Sequence, residues 1–280
     1  MPQEGLIKSL ARRAFDGFTL PVCGLPRVGK VLRRMGYQHK RALRHAAEQK
    51  LKEAGLYGDD VQQGPFKGLK YLPGDAYASC RFEKIIGAYE HELHPWFAEL
   101  TSTRRYSTIF NIGAAEGFYT AGLARLFPDA RVLSYESQEE ERTYCRSLLD
   151  LNQVTARVEM HSTCTLESLR ALQPAGPVLV LMDIDLGELL LLDPVQIPWL
   201  NQADILVETH ECLPGGEGSN QILIDRFKGS HDIRQVTSSG LRYADYPLLR
   251  PLLFEEIHAL VADDRRGLQD WLLMTPKALA

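Results

Sequence analysis

The segment Thr108–Ser137, "TIFNIGAAEGFYTAGLARLFPDARVLSYES", decides the fold. Apolar and β-branched residues open the segment and return at "RVLSY", which predicts two strands, and the residues between them follow the period of a helix. Small residues fill the first strand-to-helix turn, at Gly113, Ala114, Ala115 and Gly117. Glycine allows such a turn to be tight, and amides at a helix start favour a negative group. We therefore expect a ligand to lie on bare backbone at this turn.

The alternation of strand and helix continues toward the end of the chain. Segments with helical period separate the first five predicted strands, namely "FYTAGLARLF", "EEERTYCRSLLDLN", "TLESLRAL" and "LLLLDPVQIPWL". The pattern predicts strands near residues 107–112, 131–136, 157–161, 177–183 and 203–209, with a closing pair near 232–238 and 270–275. Strands separated by helices form parallel sheets that are covered on both faces. The prediction is an α/β fold: a Rossmann-like, mostly parallel seven-stranded sheet with helices on both faces.

The region before this sheet is basic. Residues 1–70 hold 14 lysines and arginines against 6 acids, whereas residues 71–280 hold 18 against 30. Apolar residues recur at helical spacing over residues 27–54, and Gly36 is predicted to divide the run into two helices. Glycine, proline and aspartate are frequent over residues 55–80, which indicates a loop or linker. We therefore predict a basic helical N-terminal extension with its linker over 1–80 and the sheet domain over 81–280.

The cationic side of the N-terminal helices has two interpretations. It is either a solvated face of a packing helix or a surface for an anionic partner, such as lipid head groups, a polyanionic glycan or nucleic acid. Nucleic acid is the least favoured partner, because no binding motif and no interleaved aromatic residues accompany the charges.

Composition excludes several protein classes. The longest apolar runs, such as "PVLVLM", are far shorter than the roughly 18 residues of a transmembrane segment. The first residues lack the basic-then-apolar pattern of a secretion signal, so we expect a cytoplasmic protein. Five widely spaced cysteines without a CxxC pair favour reduced thiols over disulfides or zinc.

The turn after the first strand distinguishes two kinds of cofactor. A dinucleotide fingerprint GxGxxG requires a third glycine where this chain has Phe118. The spacing is instead N-x-G-x-A-x-G, which is similar to that of class I S-adenosylmethionine-dependent methyltransferases. This resemblance implies S-adenosylmethionine as the cofactor, and the residues expected to bind it at the turn are Asn111, Gly113, Ala114, Ala115, Gly117 and Phe118.

The second and third strands complete the expected cofactor site. Strand "RVLSYE" ends in Glu136, where a carboxylate can accept hydrogen bonds from both ribose hydroxyls. Ser137 follows it and would form one wall beside the adenine. The loop "HSTCTLE" would form the other wall, with Ser162 and Thr163 as small polar groups.

A second resemblance involves the fourth strand. The segment "LMDIDLGELLLLDP" resembles the signature of FkbM-type methyltransferases, which commonly read D-x-E-G-x-E followed by apolar residues. Asp183, Asp185 and Glu188 match the three acidic places. The chain departs from the family at Leu186, where the family often has glycine, and it carries Gly187 one position later.

The resemblance extends to the fifth and last strands. "ADILVETHE" is similar to the family's fifth strand and carries Glu208 and His210 at its end, and "QDWLLMTP" suits the last strand. The similarity spans roughly residues 85–276. FkbM-type enzymes are O-methyltransferases, so the resemblance implies methyl transfer to a hydroxyl of a sugar or another small-molecule acceptor.

The acidic strand ends supply candidate catalytic residues. Asp183, Asp185, Glu208 and His210 would face one crevice, and His210 has the ordinary pKa nearest neutrality and is the candidate general base. Asp183 would also contact the methionine end of the cofactor. The same four residues could hold Mg²⁺ or Mn²⁺, although acids collect at such strand ends without a metal, and we expect none.

Two other functions remain open on the sequence alone. One is a catalytically idle protein that keeps the fold and engages an anionic surface through its basic helices. The other is a nucleotide-dependent oxidoreductase that binds a nicotinamide or flavin nucleotide at the glycine-rich turn.

Overall fold

A single seven-stranded sheet forms the centre of the protein. The computed structural model describes residues 26–72, 80–239, 243–261 and 267–278. The strands are β1 (Thr108–Ile112), β2 (Arg131–Tyr135), β3 (Val158–His161), β4 (Val178–Met182), β5 (Asp204–Thr209), β6 (His231–Thr237) and β7 (Asp270–Pro276). Their order is β3-β2-β1-β4-β5-β7-β6. Five neighbouring strands pair in parallel, and β7 runs antiparallel between β5 and β6. The predicted strands and fold class are confirmed.

The strand order reverses between β1 and β4. The chain proceeds from β1 outward to β3 and then returns to β4 on the other side of β1. Right-handed crossovers in the two directions place helices on opposite faces of the sheet. In sheets of this kind ligands bind in a crevice outside the carboxyl ends of the strands, at such a reversal, so the crevice is expected at the ends of β1 and β4.

Helices connect and flank the strands. In the described ranges they are α1 (Pro26–Glu53), α2 (Arg81–Ile86), α3 (His94–Thr103), α4 (Phe118–Leu126), α5 (Glu139–Leu151), α6 (Leu166–Arg170), α7 (Glu188–Leu191), α8 (Ser219–Phe227) and α9 (Phe254–Val261). Strand β4 is wholly buried, and the core continues through β1 and β5. Within these ranges, no helix combines the length and apolarity needed to span a bilayer.

One predicted helix is much shorter than its pattern. The segment "LLLLDPVQIPWL" was expected to be helical throughout, but only Glu188–Leu191 is α-helical, and a 3₁₀ turn follows at Pro198–Gln202. Pro194 and Pro198 explain the interruption, because proline has no amide hydrogen for the helical bond and its ring clashes with the preceding turn. The prediction of one continuous helix was wrong.

The chain divides into two compact units. One unit comprises Met1–Gly58 with Tyr243–Ala262, and the other comprises Asp59–Arg242 with Asp263–Ala280. In the first unit α1 is one continuous helix, so the predicted break at Gly36 was wrong. A glycine inside a helix costs only about 1 kcal/mol. Packing of α1 against α9, with Leu51 and Leu260 fully buried, offsets that cost.

The sheet unit includes part of the segment predicted as a loop or linker. Residues 59–72 lack regular helix or strand but contribute buried side chains to the unit, namely Val61, Phe66, Leu69 and Tyr71. These four residues are therefore part of a packed core. Residues 1–25 and 73–79, which belong to the predicted extension and linker, lie outside the described ranges.

Candidate functional site

The glycines of the turn after β1 have neighbours within the protein. Gly113 has a φ of 89°, and a Cβ there would lie 1.8 Å from the Asp183 carbonyl oxygen. Gly117 has a φ of 97°, and a Cβ there would lie 2.4 Å from Cys145 Sγ. Both positions therefore require glycine for conformation and for packing. At these two positions it is the protein's own chain that comes too close for a side chain.

The amides of the turn are satisfied within the fold. Gly113 and Ala114 both donate to the Tyr135 carbonyl, at 3.0 and 2.9 Å. The Gly117 amide donates to the Ala114 carbonyl at 2.8 Å, and the Ala115 amide donates to Glu136. These four amides therefore already have acceptors within the protein. The expectation that the amides at the start of α4 receive a negative group stays a prediction for the first residues of that helix. A phosphate-binding turn needs such amides to point at its ligand.

Glu136 is the buried carboxylate that joins β2 to this turn. Its Oε2 accepts from the Ala115 amide at 2.9 Å, and its Oε1 accepts from the Gln138 amide at 2.8 Å and the Ser137 hydroxyl at 3.3 Å. Arg142 donates to the carbonyls of Glu136 and Ser137 at 2.6 Å. A carboxylate has about four acceptor positions, so with these three donors in place about one position remains for a hydroxyl of a ligand. These contacts hold Glu136 in one orientation at the rim of the crevice.

The Asn111 side chain lies beneath the turn. It is fully buried in β1 and donates to the Thr120 hydroxyl of α4 at 2.7 Å, and Thr120 lies 2.8 Å from the Ser134 hydroxyl of β2. This polar chain ties β1, α4 and β2 together. The Asn111 side chain thus supports the start of α4. The predicted contact of Asn111 with the cofactor stays a prediction, and it would involve the backbone of this residue.

Polar side chains also follow β2 and β3. Ser137, Ser162 and Thr163 are exposed, and the parallel pairing of Tyr135 with His161 brings the ends of the two strands together. The Glu136 amide donates to the His161 carbonyl at 3.2 Å. The three small polar residues therefore share one edge of the sheet with Glu136.

Phe118 belongs to an aromatic cluster at the start of α4. Its ring packs edge-on against Phe66 and Tyr89, with centroids 5.2 and 5.7 Å apart, and a tilted Tyr71 ring lies at 6.3 Å. Phe118 is buried. The cluster explains why a bulky residue is compatible with the position at which a dinucleotide fingerprint has its third glycine.

A buried ion pair lies beside this cluster and was not anticipated from the sequence. Lys84 bonds to Glu116, which also accepts from the Tyr71 hydroxyl at 2.6 Å. Burial opposes both charges, but the attraction between them leaves the pKa of Glu116 lowered and that of Lys84 raised. The pair thus connects α2 to the turn after β1. The sequence signal for this ion pair was the position of Lys84 in an otherwise apolar helical segment.

The carboxyl ends of β4 and β5 bring four acids around one imidazole. Atom Nε2 of His210 lies 3.4 Å from Asp185 Oδ1 and 3.7 Å from both Asp183 Oδ1 and Glu208 Oε2. Atom Nδ1 lies 3.5 Å from Glu188 Oε1. Glu188 and His210 are buried, whereas the Asp185 side chain is 86% exposed. The four residues predicted as catalytic are thus brought together, with Glu188 as a fifth member.

His210 has a shifted pKa. Burial lowers the pKa of the imidazole, but the bond with Glu188 and the charges of Asp183 and Asp185 outweigh it, so the net pKa is raised above its usual value. Glu188 also accepts from the His210 backbone amide at 3.3 Å. The imidazole is therefore protonated over a wider pH range than an ordinary histidine.

The loop after β4 has an unusual backbone conformation. Leu186 has a φ of 61°, in the left-handed region that favours glycine. Gly187 has no positive φ, but a Cβ there would lie 2.6 Å from the Ile184 side chain. Leu186 thus has the left-handed conformation at the position where the family that this segment resembles often has glycine.

Three of these side chains could hold a cation. One ligand atom each from Asp183, Glu208 and His210 can be chosen so that all lie within 4.8 Å of one another. Oxygen and imidazole ligands would suit Mn²⁺ better than Ca²⁺. Because a metal ligand must be deprotonated, the raised pKa of His210 works against this use.

The chain is similar in structure to several solved methyltransferases, at low identity. No family profile matches it, and no curated protein does. A candidate O-methyltransferase from Klebsiella pneumoniae aligns over 83% of this chain and 97% of its own, with 17% identity and a TM-score of 0.45. The O-methyltransferase TomG from Streptomyces achromogenes, involved in tomaymycin synthesis and in complex with SAM, aligns over 83% and 89%, with 17% identity and a TM-score of 0.42.

A third solved structure is the precorrin-6Y C5,15-methyltransferase from Geobacter metallireducens. It aligns over 66% of this chain and 88% of its own, with 13% identity and a TM-score of 0.42. All three TM-scores are below 0.5.

Proposed function

We propose that the protein is an S-adenosylmethionine-dependent O-methyltransferase that acts on a hydroxyl of a sugar or another small-molecule acceptor. The observation that carries the proposal is a contrast at the crevice. The amides of the turn after β1 are occupied, while the adjacent ends of β4 and β5 hold four carboxyl groups around one imidazole.

The charge of the crevice favours a cationic ligand. Asp183, Asp185, Glu188 and Glu208 carry a formal charge of −4 when ionised, and a protonated His210 offsets one unit. S-adenosylmethionine carries a positive sulfonium and a positive ammonium group. Nicotinamide and flavin dinucleotides carry a pyrophosphate, which these acids would repel, and the amides of Gly113, Ala114, Ala115 and Gly117 already have other acceptors. The acidic side chains therefore favour S-adenosylmethionine over the cofactors of an oxidoreductase.

The remaining residues fit the other parts of the cofactor. Glu136 has acceptor capacity left for a ribose hydroxyl, and the Ser137 hydroxyl, at 3.3 Å, could give way to a second one. Ser137, Ser162 and Thr163 lie at the same sheet edge and would flank the adenine. Asp183, next to Gly113 at the strand reversal, would receive the methionine end.

The cofactor supplies a methyl group on a sulfur whose positive charge makes it a good leaving group. This chain's part is to align the acceptor, exclude water and remove a proton. With the cofactor bound, the hydroxyl of the acceptor would receive the methyl group and the sulfur would leave as a neutral thioether, and Nε2 of His210 would accept the hydroxyl proton. Nε2 must be unprotonated to act as the base. Because the pKa of His210 is raised, we expect methyl transfer to increase above neutral pH.

The loop after β4 supports the FkbM-type assignment. The family's acidic pattern occurs at Asp183, Asp185 and Glu188, and Leu186 adopts the left-handed conformation that the family's glycine would adopt without strain. The acceptor class, a hydroxyl of a sugar or natural product, comes from that resemblance.

Calorimetric titration with S-adenosylhomocysteine tests the cofactor assignment. We expect binding, and we expect Glu136→Ala to weaken it about tenfold or more, because the ribose hydroxyls lose a charged acceptor. Glu140→Ala is the matched control, because Glu140 is an exposed acid four residues after Glu136. We expect this variant to bind S-adenosylhomocysteine with the affinity of the wild type. Absence of binding at millimolar ligand would overturn the proposal. Transfer of a labelled methyl group to a panel of sugars then tests the acceptor class.

A further inference from the structure

The unit formed by residues 1–58 and 243–262 carries a line of cations along one helix. Helix α1 spans Pro26–Glu53 without interruption. At 100° per residue, positions spaced three, four and seven apart lie on one face. Three basic residues of the described part of α1 follow this spacing, and we call them the cationic stripe: Arg41, His45 and Lys52.

The stripe does not coincide with the packed side of the helix. Ala47 and Leu51 of α1 are fully buried, as is Leu260 of α9, so these residues mark the packed side. Arg44 donates to the Ala259 carbonyl at 3.2 Å, and Lys50 pairs with Glu256, which holds α9 in place. In contrast, Arg41, His45 and Lys52 are exposed. Packing within the unit therefore leaves these cations facing solvent.

Large apolar side chains on the same unit are exposed as well. Tyr37 lies on α1 four residues before Arg41 and is 66% exposed. Phe254 and Leu253, at the start of α9, are 66% and 58% exposed. The Phe254 ring packs edge-on against Tyr243, with centroids 5.5 Å apart. Cations with exposed aromatic and aliphatic side chains are the combination that binds a bilayer surface, since lipids offer both anionic head groups and an apolar interior. A polyanion in water would satisfy only the cations.

We propose that this unit docks on an anionic phospholipid bilayer, with the cationic stripe on the head groups and Phe254 and Leu253 inserted at the interface. The net charge of α1 supports this choice, because nine lysines and arginines stand against two glutamates in the helix. The proposal does not depend on the methyltransferase assignment, because it uses no residue of the crevice.

Vesicle co-sedimentation of the full chain tests the proposal. We expect binding to vesicles of phosphatidylcholine with phosphatidylglycerol, little binding to phosphatidylcholine alone, and loss of binding as salt is added. The double variant Arg41→Glu with Lys52→Glu should bind at least about 20-fold less tightly, because each cation near an anionic surface contributes about 1 kcal/mol. Lys67→Glu with Arg170→Glu is the matched control, since it reverses two exposed cations of the sheet unit and should bind as the wild type does.

A second variant tests the apolar part. Phe254→Ser should weaken vesicle binding roughly fivefold by removing buried apolar area. Val195→Ser, at a position that is 87% exposed in the sheet unit, should not. Equal binding to both vesicle types, or vesicle binding by the Arg41 and Lys52 double variant at wild-type affinity, would overturn the proposal. So would tight binding of a duplex RNA or a heparin oligosaccharide without any binding of anionic vesicles.

Discussion

The Ala115 amide donates to Glu136 Oε2 over 2.9 Å and thereby joins the turn after β1 to the end of β2. Ala115 makes this bond with a φ of 44°, in the left-handed region that non-glycine residues adopt at a cost of about 1 kcal/mol. The bond fixes the Glu136 carboxylate beside the strand reversal. The same bond removes one amide from any anion-binding role, so a single contact both orients the proposed ribose acceptor and disfavours a phosphate.

Replacing Gly113 should disrupt the crevice. Gly113→Ala places a Cβ 1.8 Å from the Asp183 carbonyl, at a φ of 89°, so β1 and the loop after β4 must separate. We expect the free energy of unfolding to fall by at least about 2 kcal/mol, measured by urea denaturation. Gly229→Ala is the control, because a Cβ there meets no atom within 4 Å. Equal stability of both variants would contradict the close approach at Gly113.

The buried pair of Lys84 and Glu116 should be costly to break from one side. Lys84→Met leaves the Glu116 carboxylate buried without its cation, and we expect a loss of about 3–5 kcal/mol in the free energy of unfolding. The double variant Lys84→Met with Glu116→Gln should recover much of this loss, since no unpaired charge remains. A double-mutant cycle without coupling would show that the pair is not formed.

The two buried histidines should give stability opposite dependences on pH. The pKa of His210 is raised, so its contribution is present below about pH 6.5 and is lost as the pH rises through the raised pKa. Burial lowers the pKa of His231, although the bond to the Ala203 carbonyl at 3.0 Å partly opposes this effect. The contribution of His231 to stability is therefore lost as the pH falls below about 6.5. The free energy of unfolding of His210→Gln and of His231→Gln, each compared with the wild type over a range of pH, measures these two contributions. A parallel pH dependence for the two variants would contradict the assignment.

His210→Ala separates catalysis from cofactor binding. We expect turnover to fall on the order of 100-fold or more, as for loss of a general base, while the affinity for S-adenosylhomocysteine changes little. In the wild type, turnover should rise with pH through the raised pKa of His210. Unchanged turnover in the variant would assign His210 a structural role.

Removal of divalent metal should leave turnover unchanged. Although Asp183, Glu208 and His210 could approach one ion, a proton competes for Nε2 of His210. Dialysis against a chelator, followed by assay with and without Mn²⁺, measures the effect. Activity that is lost on dialysis and restored by Mn²⁺ would show that the metal alternative is correct.

The sequence predicted the sheet because its signals are local. Each buried strand is a short apolar run flanked by turn residues, as in "VLVLM" of β4, and this pattern survives in any tertiary context. The convergence of Asp183, Glu208 and His210 followed from parallel strands ending at the same edge. The tight turn at Gly113 and Gly117 was predictable from the local run of small residues.

Features that depend on distant contacts were not predictable. The role of Gly113 depends on the Asp183 carbonyl, 70 positions later in the chain. The uninterrupted α1 depends on packing against α9, which offsets the local cost of Gly36. The pairing of Lys84 with Glu116 joins two segments whose patterns are unremarkable on their own.

A crystal structure with bound S-adenosylhomocysteine tests the central claim most directly. The account predicts that the ribose hydroxyls lie within hydrogen-bonding distance of Glu136, with the amino-acid end toward Asp183 at the reversal between β1 and β4. A structure in which the nucleoside lies away from Glu136, or in which side chains close this crevice to it, would contradict the account.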